Sequence, residues 1–403
     1  MKFIKQYIDK VKPKFMPGGK FSALQSVFEG FETFLFTPNT TSQSGVHIHD
    51  SIDTKRTMIV VIVALLPALL FGMFNVGYQH YLSIGSAVDS SMYLELFLYG
   101  FLAMLPRIVV SYAVGLGIEF VAAQLRHHEI QEGFLVSGML IPMICPIDTP
   151  LWMIAVATAF SVIFAKEVFG GTGMNIFNVA LITRAFLFFA YPAKMSGDVV
   201  FVSQAPIFGL GEGTVVDAFS GATPLGQVAT TSHGALSITN IVGDPITTWD
   251  TFIGLIPGSV GETSTLCILI GAAILLFTGM ASWRIMLSVF AGGLFMGFVA
   301  NYFGTPTYPA SALTPIDQIC LGGFAFAAVF MATDPVTGAR TNIGKYIYGF
   351  LIGVVAILIR VYNNGYPDGA MLAVLLMNAF APLIDYCVVE FNIRRRQNRL
   401  KVQ

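Results

Sequence analysis

The stretch GFLVSGMLIPMICPIDTP, residues 133–150, is apolar, but two prolines interrupt it before it could cross a bilayer as one straight helix. A crossing helix needs about 20 apolar residues in succession. A second segment, GGFAFAAVFMATDPVTG at residues 322–338, is also too short. Both contain a Gly-Phe pair near the start and end at an aspartate, Asp148 or Asp334, beside Thr or Pro. We therefore expect two related, discontinuous membrane helices.

These two segments are the third and the eighth of ten apolar spans along the chain. Because successive spans alternate in direction, segments five positions apart run in opposite senses. Short or Pro/Gly-interrupted segments at matching positions of two halves are typical of inverted repeats, whose half-helices build a site near the bilayer middle. The predicted spans are 57–77, 96–124, 133–147, 150–166, 176–192, 263–280, 284–301, 318–332, 345–362 and 369–389.

The composition indicates an integral membrane protein. Of 403 residues, 55% are hydrophobic and only 11% are charged, and the mean hydropathy is +0.72. A soluble domain carries about 25% charged residues, so this chain lacks the charge to cover a water-facing surface, and we expect no nucleic-acid partner. The predicted fold class is an all-α polytopic membrane protein built from two inverted five-helix repeats. Its predicted parts are an N-terminal segment (1–56), the first repeat (57–192), a long loop (193–262), the second repeat (263–389) and a basic tail (390–403).

The distribution of basic residues predicts the orientation. If the N-terminus lies inside, eighteen Lys and Arg residues fall in the inner segments and only Lys194 falls in an outer loop. Cytoplasmic loops of membrane proteins carry such an excess. We therefore expect both termini in the cytoplasm and the loop 193–262 in the periplasm, with the chain in a bacterial inner membrane.

Within the N-terminal segment, apolar residues recur at helical spacing between positions 21 and 35. This pattern predicts an amphipathic helix that lies on the membrane. Two roles are open for it, an interfacial anchor and a flap over a lipophilic substrate.

Four acidic residues lie at or near the ends of spans, where an ionisable side chain at membrane depth is costly and indicates function. Carboxylates are hard oxygen ligands that suit a small, partly dehydrated cation. One interpretation is therefore a cation path, and the other is that all four lie in wet interfacial turns or cap helix ends. The four residues are Glu132, Asp148, Asp334 and Asp385.

The stretch FGGTGMNIFN, residues 169–178, is a Gly-rich turn that opens a predicted span. Backbone N–H groups at such a turn bind anions, and Asn side chains match the carbonyl and imide edge of a heterocycle. Glycine also permits tight helix crossing in membranes, so cofactor contact and packing both remain open. The candidate cofactor-binding residues here are Gly170, Gly171, Gly173, Asn175, Asn178 and Arg184. Arg184, like Arg107 and Arg360, lies near a span end, from which a long basic side chain can snorkel to the interface.

The loop 193–262 contains DAFSGAT, residues 217–223, which fits the pattern D-x-x-S-G-A-T. This pattern resembles the acceptor sequence at which bacterial flavin transferases attach FMN to a threonine hydroxyl through a phosphoester bond. The chemistry needs a hydroxyl, a small and extended loop, and a position outside the cytoplasmic membrane. Thr223 would be the attachment point, and the motif supplies Asp217, Ser220, Gly221 and Ala222 beside it.

With this motif, the ten spans, and the stretches EGFLVSGMLIP, FGGTGMNIFNVALITRAFLFFAYP and FMATDPVTGARTN, the whole chain resembles the family of the B subunit of the sodium-translocating NADH:quinone oxidoreductase. The D subunit of the related Rnf complex is the nearest cousin. The polar N-terminal extension resembles that of the quinone reductase subunit rather than that of the Rnf subunit.

The resemblance implies a function that composition and spacing do not show. It implies one covalent FMN on Thr223, a non-covalent riboflavin, and electron transfer to ubiquinone that is coupled to sodium export. The partners would be the other subunits of a six-subunit complex, including a second covalent-FMN subunit and an NADH-oxidising subunit, together with a flavin transferase and membrane lipid. The positions that match the family's sodium-uptake acids are Glu132, Asp334 and Asp385.

Other functions share this topology. The chain could be an Rnf-type electron-transfer subunit, a transporter or channel without a redox role, or a non-redox scaffold, because fold alone does not decide function. Only the redox interpretations require a covalent flavin.

Overall fold

A computed structural model of the chain describes residues 2–16, 28, 32, 36, 44–46, 54–86, 88–126, 133–196, 200–216, 221–231, 238–305, 307–363 and 365–401. Across these residues the structure is helical, and strand-like pairing is limited to two isolated bridges, Ile207 with Leu210 and Thr239 with Pro245. The predicted all-α class is confirmed.

The α-helices of the described residues are α1 (Lys2–Val11), α2 (Thr54–Ser83), α3 (Tyr93–Arg126), α4 (Phe134–Ile144), α5 (Leu151–Ser161), α6 (Val179–Ala190), α7 (Pro224–Thr230), α8 (Thr248–Ile253), α9 (Thr265–Phe277), α10 (Trp283–Phe303), α11 (Pro315–Cys320), α12 (Phe324–Phe326), α13 (Asn342–Tyr362) and α14 (Ala370–Lys401). Two π-helices, Val162–Glu167 and Ala327–Met331, continue α5 and α12. Short 3₁₀ turns cover Lys12–Lys14, Ser90–Met92, Pro192–Lys194 and Pro309–Ala312.

Five of these helices are long and apolar enough to cross a membrane, namely α2, α3, α10, α13 and α14. Three shorter apolar helices, α4, α6 and α9, have 11, 12 and 13 residues. At 1.5 Å per residue, each of the three covers only about 20 Å or less of a hydrocarbon layer about 30 Å thick. The chain is therefore a polytopic membrane protein that combines long helices with short ones.

The two segments predicted as discontinuous helices, 133–150 and 322–338, are interrupted in the structure. The helix α4 ends at Ile144, and Cys145 is already extended with φ −90° and ψ 148°. The eighth predicted span, 318–332, is divided in the structure, because α11 stops at Cys320 and α12 starts at Phe324. Gly322 in the gap has φ +65°, a conformation that only glycine adopts readily, so the helix cannot continue through it.

Glycines set the close crossings of the long helices. A Cβ on Gly349 of α13 would lie 2.8 Å from the Ile285 carbonyl oxygen of α10, and one on Gly353 would lie 2.2 Å from the Val289 carbonyl oxygen. Residue numbers rise together along this contact, so α10 and α13 run parallel and begin at the same end of the molecule. This is the arrangement that the second and fourth spans of the second predicted repeat require.

Gly100 of α3 provides a test of the packing. A Cβ there would lie 1.7 Å from the Met73 carbonyl oxygen of α2, whereas a Cβ on Gly117 of the same helix meets nothing within 4 Å. We expect Gly100→Ala to destabilise the fold by about 1–3 kcal/mol through overpacking. Gly117→Ala is the matched control, neutral or stabilising by up to about 1 kcal/mol. Thermal unfolding in detergent distinguishes them, and equal midpoints for the two variants would contradict the α2–α3 crossing.

The structure differs from the sequence prediction in two regions outside the predicted spans. The segment 193–262, predicted as a loop, contains α7 and α8, the latter starting with a capping box formed by Thr247 and Asp250. In the N-terminal segment, α1 is a helix that the apolar pattern did not predict. The predicted amphipathic helix between 21 and 35 lies largely outside the described residues, although the Phe28 ring stacks on Phe15 with centroids 4.7 Å apart.

Candidate functional site

Thr223 lies at the start of α7, where it is the N-cap residue. Its Oγ1 accepts a hydrogen bond from the Gly226 N–H at 3.1 Å. Gly221 and Ala222 are buried, and Thr223 is half-buried with an extended backbone, φ −63° and ψ 153°, so the described end of the predicted loop packs against the protein and leads into a helix. The Thr-Pro pair explains this helix, because a capping hydroxyl followed by proline at the first helical position favours a helix start. Asp217 and Ser220 lie outside the described residues.

A cavity of about 360 Å³ adjoins Thr223, and we call it the Thr223 cavity. Its wall includes Arg184 from α6, Glu262 from the segment before α9, and Tyr366 and Asp368 from the α13–α14 connection. This volume falls within the range of about 300–1,000 Å³ that is typical of cofactor pockets. The structure therefore brings together two residues predicted separately, Thr223 from the acceptor motif and Arg184 as a candidate cofactor residue after the Gly-rich turn.

The charged side chains of this cavity form a buried cluster. The Arg184 guanidinium donates a hydrogen bond to the Glu262 carboxylate and lies 3.1 Å from Asp368 Oδ2. Arg360 donates to the Leu321 carbonyl oxygen at 3.0 Å and lies 4.0 Å from Asp368 Oδ1. Buried charges need such partners. Arg184 and Arg360 are 6% and 1% exposed, so the expectation that they snorkel is wrong.

Some polar groups of the cavity wall remain available to a ligand. Thr263 Oγ1 is buried and has no hydrogen-bond partner among the described residues. Burial raises the pKa of the Tyr366 hydroxyl above its ordinary value, so it stays protonated as a donor. A buried hydroxyl without a partner is unusual in a native fold. The wall thus presents one guanidinium, two carboxylates and the unpartnered Thr263 hydroxyl to a polar, partly aromatic ligand.

The Gly-rich turn does not reach this cavity. Gly170, Gly171 and Gly173 have φ of +116°, +98° and +88°, and a Cβ on Gly171 or Gly173 would meet nothing within 4 Å. Tight helix crossing therefore does not explain those two glycines; the left-handed backbone does. Asn175 donates to the Phe177 carbonyl oxygen at 3.0 Å, and Asn178 Oδ1 caps α6 by accepting from the Ala180 N–H at 3.0 Å.

Asn175 and Asn178 instead line a second, smaller cavity of about 120 Å³, which we call the Asn178 cavity. Asp334, Thr333 and Ser137 also line it. Asn178 precedes Arg184 by six residues, which is about 9 Å along a helix. The two cavities share no lining residue, so the predicted set is dispersed: Arg184 lies on one cavity, Asn175 and Asn178 lie on the other, and Gly170, Gly171 and Gly173 line neither.

The predicted cation ligands do not form one cluster. Asp334 Oδ2 accepts from Asn178 Nδ2 at 3.2 Å, and its Oδ1 accepts from the Val336 N–H at 3.0 Å. Asp385 accepts from the Arg340 and Thr341 N–H groups at 2.7 and 3.0 Å, so it caps the start of α13. Within the described part of the chain, no group of three His, Cys, Asp or Glu side chains is placed to hold a metal ion.

The remaining two acids differ in what the structure says of them. The Asp148 side chain is 48% exposed and pairs with Lys194 at 3.3 Å, which matches the alternative of a wet interfacial turn. Glu132 lies outside the described residues.

Sequence reasoning missed several buried charges. Glu262 and Asp368 each directly precede a predicted span and look like interfacial residues. A second buried ion pair joins Glu119 of α3 to Lys166 of the first π-helix. The distribution of basic residues instead predicts Lys166 in an inner segment that connects two spans. A signal was present, because Glu262 and Asp368 each lie beside a glycine directly before an apolar span, and Glu119 lies within one.

Comparison with known proteins agrees with the resemblance stated from the sequence. The family model described as the NQR2, RnfD, RnfE family matches residues 41–394. A protein of Haemophilus influenzae, named as the B subunit of a Na(+)-translocating NADH-quinone reductase, is 43% identical over 419 residues, covering 98% of this chain and 99% of the relative. A protein of the same name from Neisseria meningitidis is 42% identical over 420 residues with the same coverage.

A third relative of that name, from Ectopseudomonas mendocina, is 43% identical over 416 residues, covering 98% of this chain and 99% of the relative. Agreement of this extent runs through the termini, the spans and the long segment between the two halves. The chain belongs to the NQR2, RnfD, RnfE family.

Proposed function

We propose that the chain is the membrane subunit of a sodium-translocating NADH-quinone reductase that carries FMN covalently on Thr223. It also holds riboflavin and passes electrons to ubiquinone, coupled to sodium export across a bacterial inner membrane. The names of relatives at 42–43% identity over 98% of the chain support the reductase assignment. The D-x-x-S-G-A-T motif supports the attachment site.

The observation that carries the flavin proposal is the position of Thr223 on the same cavity as the buried cluster of Arg184, Glu262 and Asp368. Thr223 Oγ1 would form the phosphoester. Arg184 places a positive charge on the wall, and the two carboxylates hold its guanidinium in position. Bound FMN would supply the one- and two-electron chemistry that no side chain of the cavity provides.

The Thr223 cavity also has an apolar part, which affects the electrostatics of the charged cluster. The Thr223 cavity is lined on other sides by apolar groups, including Phe188, Leu225 and Ile256. Low polarity around the cluster strengthens the interaction of Arg184 with any charge that develops on a bound ligand. The residues therefore bind, orient and stabilise, and NADH oxidation is left to another subunit of the six.

The Asn178 cavity does not fit a flavin, because about 120 Å³ is well below the range of about 300–1,000 Å³ of cofactor pockets. We therefore assign riboflavin no residues there. Its oxygen-bearing wall of Asp334, Asn178, Thr333 and Ser137 instead suits a small cation. In the proposed function this cavity is one sodium-binding position along the path. Asp385, at the start of α13, is a second position.

The sodium proposal predicts how the two acids respond to substitution. Asp334→Ala and Asp385→Ala should each raise the sodium concentration for half-maximal quinone reduction about tenfold, equivalent to about 1.4 kcal/mol of binding. Asp148→Ala, which removes an exposed acid, is the control and should change nothing. The measurement is the rate of quinone reduction against sodium concentration in the assembled complex. An unchanged sodium dependence in both variants would remove these acids from the path.

The experiment that tests the flavin proposal uses the chain without any substitution. It is produced with and without a flavin transferase, denatured, separated by electrophoresis and illuminated. We expect a fluorescent band only when the transferase is present. A dark band in both preparations would contradict the redox assignment and favour a transporter, channel or scaffold.

A further inference from the structure

A basic cavity lies at the end of the molecule where α10 and α13 begin. It has a volume of about 520 Å³, and we call it the Arg340 cavity. Arg284, Arg340 and Lys345 line it, together with a single carboxylate, Asp334. Because Asp334 already accepts hydrogen bonds from Asn178 and the Val336 backbone, the cavity has an excess of positive charge.

The charges of the three basic side chains are only partly balanced by the protein, since Asp385 lies close enough to act electrostatically on Arg340. Within the described ranges none of them forms an ion pair. Arg284 donates to Asn342 Oδ1 at 3.1 Å, and its guanidinium lies 5.4 Å from the centroid of the Trp283 ring. Most of the donors of Arg284, and those of Lys345, therefore remain available to an anion with several acceptor oxygens.

An apolar groove continues from this cavity along the outside of the molecule. It runs between α10 and α13, has a volume of about 460 Å³, and we call it the α10–α13 groove. Its lining residues are Leu287, Ser288, Ala291, Tyr346, Ile347, Phe350 and Leu351. Of its two hydroxyl-bearing residues, Ser288 and Tyr346, Ser288 already donates to the Arg284 carbonyl oxygen at 2.7 Å.

Cavity and groove are neighbours on both helices. Lys345 of the cavity directly precedes Tyr346 of the groove. The Trp283 ring of the cavity and the Tyr346 ring of the groove meet edge to face with centroids 6.1 Å apart. Trp and Tyr rings occur at the headgroup level of a bilayer. The boundary between basic cavity and apolar groove therefore matches the boundary between headgroup and acyl chain.

We propose that the Arg340 cavity and the α10–α13 groove together bind one anionic phospholipid of the surrounding bilayer, with its phosphate among Arg284, Arg340 and Lys345 and an acyl chain in the groove. Charge complementarity selects an anionic over a zwitterionic headgroup, as in other basic pockets between membrane helices. The parallel start of α10 and α13 creates the site, because it places Arg284 and Lys345 at the same end of the molecule. This site is independent of Thr223 and of the flavin.

The test measures lipid retention by the full-length chain in detergent, using native mass spectrometry with phosphatidylglycerol and phosphatidylcholine at equal concentration. We expect phosphatidylglycerol to be retained about tenfold more than phosphatidylcholine. Arg284→Gln with Lys345→Gln should abolish this preference. Arg284→Lys with Lys345→Arg, which keeps both charges, should preserve it and shows that the site tolerates substitution.

The matched control is Arg395→Gln with Arg396→Gln, which removes two exposed charges from the tail of α14. It should leave the preference unchanged. The proposal is overturned by equal retention of the two lipids or by an equal effect of the tail variant. It is also overturned if the assembled complex loses the preference and a partner subunit cross-links to a probe at position 287, since the groove is then a protein interface.

Discussion

Thr223→Asn is expected to yield a folded chain without covalent flavin, and the complex that contains it should reduce quinone about 100-fold more slowly or worse, because tethering supplies an effective concentration worth that much. Asparagine is chosen because it separates the two roles of the threonine. Its side chain still accepts the Gly226 N–H as an N-cap, whereas valine would lose about 0.5–2 kcal/mol of capping. Only the attachment hydroxyl is missing.

The control for Thr223→Asn is Thr230→Val. Thr230 lines the same cavity and carries a hydroxyl at the other end of α7, where it donates to the Gly226 carbonyl oxygen at 3.0 Å. In-gel fluorescence and steady-state quinone reduction are measured for both variants. We expect Thr230→Val to behave like the unmodified chain. A fluorescent Thr223→Asn band would show that the flavin is attached elsewhere.

Arg184→Gln is expected to lower the free energy of unfolding by about 3–5 kcal/mol, because the buried Glu262 then has no cation and Asp368 keeps only Arg360, 4.0 Å away. The double variant Arg184→Gln/Glu262→Gln should recover most of this loss, since it removes one charge of each sign. The measurement is unfolding of the purified chain in a denaturant titration. Equal losses in the single and double variants would contradict the pairing.

The same cluster should also affect the flavin. A positive charge on the wall of the Thr223 cavity favours an added electron and a negative charge opposes it. Arg184→Gln should therefore lower the midpoint potential of the covalent flavin, and Glu262→Gln should raise it, although both variants destabilise the fold. If the cluster had only a structural role, both variants would be less stable, but the midpoint potential of the flavin would not shift in opposite directions.

The long helices could be predicted from the sequence because an apolar run of sufficient length has few other conformations in a membrane. The five helices α2, α3, α10, α13 and α14 all lie where long apolar runs predict them. The span 318–332 is short enough to predict a discontinuous helix, but its almost uniformly apolar composition does not indicate where the break lies. Its break depends on the left-handed Gly322 and on Gly323, whose missing side chain leaves room for Glu262, where a Cβ would lie 3.0 Å from Cδ.

Part of the candidate site could be predicted, and the rest depends on tertiary contacts. Arg184 stands out by its charge within an apolar segment, and Thr223 by its motif. Glu262 reaches the cavity because the segment before α9 packs on the end of α4, where the Gly261 N–H donates to the Met143 carbonyl oxygen at 2.8 Å. No local pattern encodes a contact across more than a hundred residues. The helix α7 was missed for another reason, since small residues near Thr223 indicate a loop by composition.

The central claim is that Thr223 carries the flavin, and peptide mass spectrometry tests it most directly. The chain without substitutions is produced together with a flavin transferase and cleaved after Phe219 and Leu225. This cleavage releases the peptide Ser220–Leu225, which contains two hydroxyl side chains. We predict that this peptide carries the mass of FMN and that its fragment ions place the phosphoester on Thr223. An unmodified peptide, or FMN located on Ser220, would contradict the proposal.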